Sequence, residues 1–185
     1  MGGRAGGGGG RGGGGGGSSA NQQLMNALQS GAFQRMSPAQ QDKLLAAADK
    51  ERSKLTENRG IYSDSEWDAM GAYLGSGYER MNAHAISGKG DAETKALVGN
   101  LDKAISRRKL TKDIVVWRGS GANESTSGRF KSTSLSASVA DKFRVGKNMH
   151  AYRIPKGTNY LYTQRKGEHE VILPRGFNLE KYRIK

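Results

Sequence analysis

The sequence predicts an α+β protein in which the helices come first and the strands second. Up to Lys109, apolar residues recur at helical spacing. After Leu110, short β-branched and aromatic runs alternate with turn signals such as Pro155-Lys156-Gly157. We therefore expect helices segregated against an antiparallel or mixed sheet.

The chain of 185 residues is long enough for one domain of ordinary size. Thirteen of its 28 glycines lie between Met1 and Gly17, so residues 1–19 are expected to form a disordered tail. Residues 20–185 are expected to form a single domain, with a helical part over 20–110 and a strand-rich part over 111–185.

Several start and stop signals divide the helical part. Ser37-Pro38 places proline at a first helical position. Ser63 or Asp64 can cap a helix that runs to Leu74 and ends at Gly75-Ser76-Gly77. An apolar stripe starts with Leu24, Leu28 and Phe33, and further helices are predicted over 78–86 and 92–108, the last with Leu97, Leu101 and Ile105 at i, i+4 and i+8.

The second part predicts strands separated by turns. The predicted strands cover 113–117, 130–135, 150–154, 159–162, 169–173 and 177–184. One short helix is expected over 138–143.

The charge balance indicates an anionic ligand. There are 30 Lys and Arg against 17 Asp and Glu, and residues 101–185 carry +12 of the net +13. Such a basic region suits a phosphorylated cofactor, an acidic protein or nucleic acid.

Other compositional features exclude whole classes of site. The chain has no cysteine, which excludes disulfides, a cysteine-ligated zinc site and a cysteine nucleophile. His84, His150 and His169 do not have metal-ligand spacing, so no metal is expected. No apolar run reaches membrane-spanning length and no signal-peptide core is present, so neither membrane insertion nor a cleavable signal is expected.

Two motifs in the second part are candidates for ligand binding. Arg118 ends an apolar strand, where its guanidinium could bind a phosphate, and Gly119 would let a ligand approach the backbone. The alternative is a surface ion pair. In Ser132-Thr133-Ser134 the two serines share one strand face. The alternative there is the polar side of an edge strand.

The most informative motif is the pair Glu168 and Glu170. At a strand start, carboxylates two residues apart can face the same side. Two like charges so close are unfavourable unless a cation lies between them. The alternative is an acidic edge in a basic domain. His169, between them, is expected to point away from both.

The order Arg118, Ser132-Thr133-Ser134, Glu168-His169-Glu170 resembles the mono-ADP-ribosyltransferases of the exoenzyme type. That group includes actin-modifying binary toxins, Rho-modifying exoenzymes and related effectors and phage enzymes. The similarity extends over residues 55–185 and includes segments 73–82, 113–119, 138–143, 152–157 and 168–176 in the family's order.

The resemblance implies the ADP-ribosyltransferase fold, with a β-sandwich-like core, and NAD as co-substrate. Glu170 then matches the catalytic glutamate that bonds the ribose 2′-hydroxyl and stabilises the forming cation. Glu168 matches the residue that positions the acceptor. Arg118 matches the arginine on the NAD phosphates, and Ser132 the serine that supports the catalytic glutamate.

Further cofactor contacts are implied by the same resemblance. Tyr73 and Tyr78 would lie against the nicotinamide–ribose region, where a π-face attracts the forming cation. Asn82 would bond polar groups of the cofactor, backbone groups of Gly119 would hold the nicotinamide amide, and Thr133 would contribute with its neighbouring serine. A second phosphate contact is expected downstream, from Arg144 or Lys147.

The chain departs from the family pattern at two positions. Arg165 stands where an aromatic residue often recognises the target, with Tyr162 three residues earlier. Arg129 stands where asparagine is often found three residues before the first serine. The target-reading loop, residues 160–167, is therefore basic in this chain, with Gln164-Arg165-Lys166 at its centre.

The reaction implied is transfer of ADP-ribose from NAD to a protein. Because the first of the paired residues is glutamate, which attracts a guanidinium, arginine is the expected acceptor, in an acidic patch of the target. The alternatives are an ADP-ribosyltransferase or binding module directed at nucleic acid, and a plain NAD glycohydrolase. Two biological settings fit this reaction. One is a bacterial effector delivered into a target-cell cytosol, with a companion immunity protein, and the other is a phage enzyme acting in the host cytoplasm.

Overall fold

The computed structural model describes residues 18–52, 59–119, 128–144, 146, 148–163 and 167–185. Residues 1–17 of the expected tail, Lys147 and the basic segment 164–166 lie outside these ranges.

The helices begin close to the predicted start signals. They are α1 (Ala20–Gln29), α2 (Ala32–Arg35), α3 (Pro38–Arg52), α4 (Asp64–Leu74), α5 (Tyr78–Ser87), α6 (Ala92–Ser106) and α7 (Ala137–Asp141). Ser63, and not Asp64, caps α4: its hydroxyl accepts the Glu66 amide, and the Glu66 carboxylate accepts the Ser63 amide at 2.8 Å.

Five strands form one sheet within the described ranges. They are β1 (Ile114–Gly119), β2 (Lys131–Ser134), β3 (Met149–Ile154), β4 (Leu161–Thr163) and β5 (Glu170–Leu173). Their order is β3-β1-β2-β5-β4 and every pairing is antiparallel. The α+β prediction is confirmed, and the expected core is seen as one antiparallel sheet.

The strand predicted over 177–184 is wrong for most of its length. Leu179–Tyr182 is a 3-10 helix, and only Arg183 forms a bridge, to Tyr152 of β3. Asn178 starts the turn by accepting the Lys181 amide through its side chain, and Phe177 stacks on Tyr182 at 5.3 Å. These local bonds compete with strand pairing.

Apolar side chains on the two faces of β1 belong to different clusters. Val115 and Trp117 pack with α1 and α3, whereas Ile114 and Val116 pack with β3 and the C-terminal segment. A third cluster joins α4, α5 and α6 to Phe130, Leu161 and Ile172. Helices α4, α5 and α6 therefore pack against the part of the sheet formed by β4 and β5, and against Phe130 just before β2.

Two polar side chains tie the first helices to β1. Asn21 donates to the Asp113 carbonyl at 2.8 Å and accepts the Val115 amide. Arg52, whose side chain is fully buried, donates to the carbonyls of Val115 and Leu135 and pairs with Asp49. Within the described ranges, no helix is both long and apolar enough to cross a membrane.

Candidate active site

A cleft of about 450 Å³ opens where the turn between α4 and α5 faces the ends of β1 and β2 and the start of β5. Its size is typical of a cofactor or substrate site. Residues from both halves of the sequence meet there. The predicted site residues that line it are Tyr73, Tyr78, Asn82, Arg118, Gly119, Ser132, Thr133, Glu168 and Glu170.

A directed chain of hydrogen bonds ends on Glu170. The Ser132 hydroxyl donates to the Glu170 carboxylate, and its oxygen lies 3.2 Å from the Tyr73 hydroxyl. Since a serine has one hydroxyl proton, Tyr73 must donate to Ser132. Asn82 Nδ2 lies 3.5 Å from the Tyr73 oxygen and continues the chain. The chain therefore holds Glu170 in one orientation.

The surroundings of Glu170 raise the pKa of its carboxyl. Burial is the largest cause, and the negative charge of Glu168 acts in the same direction. The hydrogen bond from Ser132 and the positive charge of Arg118 oppose this change. Glu170 is thus a carboxylate held in a partly water-excluded place, where a forming positive charge would be strongly attracted.

Glu168 is held by the end of β2. Ser134 Oγ donates to the Glu168 carbonyl at 2.8 Å, and the Leu135 amide donates to the His169 carbonyl at 3.0 Å. His169 has a φ of 45°, and its Nδ1 lies 2.9 Å from the Tyr162 hydroxyl. The kink at this residue leaves Glu168 before the strand, still lining the cleft beside Glu170.

Arg118 supplies a half-buried positive charge to the cleft. Its Nη1 donates to the Ser132 carbonyl, so the arginine also fixes the strand that carries the serine. Desolvation lowers the pKa of Arg118, although an arginine stays protonated. The cation therefore lies in a place where an anionic ligand would offset its lost hydration.

Packing within the protein requires glycine at position 119. A Cβ at this position would lie 2.5 Å from the Ala140 carbonyl oxygen and 2.6 Å from the Arg144 amide nitrogen. The side of Gly119 on which a Cβ would stand is filled by the backbone at and after the end of α7. Gly119 is required by this packing, and its backbone lines the cleft from the other side.

Two of the predicted contact residues, Thr133 and Arg144, bind other groups of the protein. The Thr133 hydroxyl donates to the Val171 carbonyl at 2.7 Å inside the sheet, so it stabilises strand pairing. Arg144 is exposed, and its Nε pairs with Asp141 at 2.6 Å; it is absent from the described lining of the cleft. Lys147, the other candidate for the second phosphate contact, lies outside the described residues.

Among the lining residues that were not predicted as site residues, three have polar or exposed side chains that bear on the chemistry of the cleft. Ser134 positions Glu168, a role that its shared face with Ser132 could have indicated. Phe143 is 60% exposed and lines the cleft, which its place in segment 138–143 could have indicated. Arg129 also lines the cleft, and no sequence pattern pointed to it as a ligand contact.

The lining fits a dinucleotide such as NAD. Two of its lining residues, Trp117 and Arg129, each have a buried N–H without an acceptor in the described part of the chain. Buried donors are normally paired in native proteins, so these two suit a ligand rich in oxygen acceptors. The aromatic ring of Tyr78, 48% exposed at the cleft, offers an apolar face to a flat group.

The fold is that of the bacterial ADP-ribosylating toxins. Exoenzyme S from Pseudomonas aeruginosa, solved with human 14-3-3 protein beta and carba-NAD, superposes with a TM-score of 0.54 at 22% identity, over 83% of this chain and 78% of that one. Plx2a, an ADP-ribosyltransferase toxin from Paenibacillus larvae, gives a TM-score of 0.51 at 19% identity, over 70% of this chain and 80% of that one.

The chain belongs to the ADP-ribosyltransferase exoenzyme family, whose model matches residues 22–127. A curated relative, the NAD(+)–arginine ADP-ribosyltransferase EFV of Enterococcus faecalis, is 33% identical over 133 residues. The match covers 58% of this chain and 26% of the relative, so the chain spans about a quarter of that protein. The family match ends before Ser132 and the two glutamates.

Proposed function

We propose that this protein transfers ADP-ribose from NAD to an arginine side chain of a protein, with release of nicotinamide. The observation that carries the proposal is the half-buried Glu170 carboxylate, oriented by Ser132 and accompanied in the same cleft by Glu168 and Arg118. Family membership and the arginine-specific relative from Enterococcus faecalis support the same reaction.

Glu170 supplies the main chemical effect. Breakage of the nicotinamide–ribose bond leaves the electron pair on nicotinamide and positive charge on the ribose. A fixed carboxylate stabilises that charge more in the transition state than in the bound substrate, which is the requirement for catalysis. Tyr73 and Asn82 contribute through Ser132 by holding this carboxylate in place.

Glu168 binds the acceptor arginine and removes its proton in this proposal. Glu168 lines the cleft, and the segment that ends two residues before it in the sequence, 164–166, is basic. A guanidinium pairs well with a carboxylate, and removal of its proton makes its nitrogen a nucleophile toward the ribose carbon. The new bond joins that nitrogen to the ribose, and the proton leaves through Glu168. When water takes the place of the guanidinium, the same site hydrolyses NAD as a side reaction.

The biological setting proposed is an effector of a bacterium, or a phage enzyme, acting on a host protein in the cytosol. The basic character of residues 101–185 favours a target whose arginine lies in an acidic patch. The proposal for a bacterial effector includes a companion immunity protein.

The test uses NAD labelled in the adenylate group, the full chain and a cell lysate. Label on protein, removed by an arginine-specific ADP-ribosyl hydrolase, is the expected result. Label on RNA or DNA would identify a nucleic-acid acceptor, and free ADP-ribose alone would identify a glycohydrolase; either contradicts the proposal. Glu170→Gln is the matched negative control, because it keeps the side-chain volume and removes the charge.

A further inference from the structure

The sequence left the second phosphate contact open between two residues downstream of the serine motif. One of them, Arg144, uses its Nε on Asp141 at the surface and is absent from the described lining of the cleft. Arg129, by contrast, belongs to the lining together with Arg118. A different arginine therefore occupies the position from which a second phosphate contact can be made.

The backbone around Arg129 is held on both sides. The Phe130 amide donates to Asn82 Oδ1 at 3.0 Å, and the Gly176 amide donates to the Arg129 carbonyl at 3.3 Å. Gly128, just before it, has a φ of 77°, and a Cβ there would lie 3.1 Å from Ile86 Cα. The arginine is thus fixed against α5, on the same side of the cleft as Asn82.

The Arg129 side chain carries a donor that the described residues do not satisfy. Its Nε is buried and has no hydrogen-bond acceptor in the described part of the chain. No ion pair between Arg129 and an acidic residue occurs among the described residues. A buried charged donor without a partner is costly, which points to an external anion as its partner.

Positive charges are concentrated around this position. Desolvation is the main cause that lowers the pKa of the Arg118 guanidinium, and the charge of Arg129 makes a smaller contribution in the same direction, against Tyr73, Tyr152 and Glu170, which raise it. Burial, and then the charges of Arg118 and Arg129, lower the pKa of Lys131 to about 8. Two negative groups facing the cleft, Glu168 and Glu170, lie at the start of β5, and Glu180 acts on Lys131 from the C-terminal segment. An anion with two charges would relieve this repulsion between cations.

We propose that Arg129, together with Arg118, binds the diphosphate of the dinucleotide, in the role that the sequence assigned to Arg144 or Lys147. The inference rests on the proposed function, since it names residues for the same substrate. Two guanidinium forks can each take one phosphate, with charge-assisted hydrogen bonds that a single arginine cannot supply to both.

The test measures binding of NAD, ADP-ribose and nicotinamide mononucleotide by titration calorimetry, with full-chain variants that also carry Glu170→Gln to prevent turnover. Arg129→Gln should weaken NAD and ADP-ribose binding by about 10- to 100-fold. Nicotinamide mononucleotide, with one phosphate, should lose less. Arg153→Gln is the matched control: its arginine pairs with Asp113 at the surface, outside the described lining of the cleft, and affinity should stay within about twofold.

An unchanged ADP-ribose affinity in Arg129→Gln would overturn the inference, as would a larger loss in Arg144→Gln than in Arg129→Gln. If Arg129→Gln does not fold, Arg129→Lys decides: a several-fold loss with unchanged melting supports the inference, and wild-type affinity overturns it. The two proposals can fail separately. In one outcome, the protein binds ADP-ribose through Arg129 and yet neither transfers ADP-ribose nor hydrolyses NAD. That result would contradict the proposed function and would still support Arg129 as a phosphate contact.

Discussion

The Tyr73 hydroxyl lies 3.2 Å from Ser132 Oγ, although 59 positions separate the two residues in the chain. Tyr73 belongs to the last turn of α4 and Ser132 to the middle of β2. The contact joins the helical half to the strand that supports Glu170. It makes the orientation of the candidate catalytic carboxylate depend on the packing of α4 on the sheet.

Tyr73→Phe should lower kcat for NAD hydrolysis by about 2- to 10-fold with a smaller change in KM, because one neutral hydrogen bond is lost. The ring should stay in place, since it packs edge-on against Phe130 at 5.5 Å. Steady-state kinetics at neutral pH measure both constants. Tyr182→Phe, a change in a ring stacked on Phe177 and outside the described lining of the cleft, is the control. An unaltered kcat in Tyr73→Phe would show that Tyr73 does not orient Ser132 for catalysis.

The pH profile of NAD hydrolysis should report on Glu170. Catalysis needs the ionised carboxylate, and burial and Glu168 raise its pKa, so the acid limb of kcat/KM should lie above the ordinary value of 4.5. Glu168→Gln removes the neighbouring negative charge and should move that limb to lower pH. The rate measured from about pH 4 to 8 decides this. A limb that moves upward in Glu168→Gln would contradict the assignment.

Glu170→Gln should be at least as stable as the wild type at neutral pH. A carboxyl whose pKa is raised on folding contributes stability below its unfolded pKa and loses it as pH rises through the folded one. At neutral pH the ionised Glu170 therefore costs stability, which the neutral amide avoids. Thermal melting at acid and neutral pH gives the comparison. A Glu170→Gln variant that melts well below the wild type only at neutral pH would contradict this prediction.

Glu168→Gln should separate transfer from hydrolysis. The change removes the partner and proton acceptor of the incoming guanidinium, while water needs no such partner. Transfer to an arginine substrate should fall by about two orders of magnitude or more, and NAD hydrolysis should be largely kept. Both are measured on the same preparation. Glu93→Gln, at a surface ion pair with Arg80, is the control.

Equal loss of transfer and hydrolysis in Glu168→Gln would place Glu168 in the cofactor step. Loss of neither would show that Glu168 does not act on the acceptor. Mass spectrometry of the labelled target would then identify the modified residue.

Gly119→Ala should destabilise the protein by about 1–3 kcal/mol or more, because the new methyl group meets backbone atoms of Ala140 and Arg144. Gly99→Ala is the matched control. Gly99 lies inside α6 with nothing within 4 Å of its Cβ position, so alanine should stabilise the helix by about 0.5–1 kcal/mol. Chemical unfolding of both variants measures the difference. A Gly119→Ala variant as stable as the wild type would contradict the packing role.

Local signals predicted much of this fold. The helix starts at Pro38 and Ser63 and the alternation along β1 could be predicted, because caps and side-chain periodicity depend on neighbouring residues. The last predicted strand was wrong because Asn178 and Phe177 make contacts that stabilise a turn, and the apolar pattern of the sequence does not reveal these contacts. The order of Arg118, Ser132 and Glu170 along the chain was sufficient to indicate the family and the candidate catalytic residues.

Only the tertiary structure decided how those residues act on one another. The sequence could not show that Tyr73 reaches Ser132, that Arg129 lines the cleft while Arg144 binds Asp141, or that Gly119 is packed against the chain itself. Each of these relationships depends on where a side chain points after distant segments have packed together. Sequence spacing determines which face of an element a residue occupies, whereas its partner across the cleft is set by the packing of helices on the sheet.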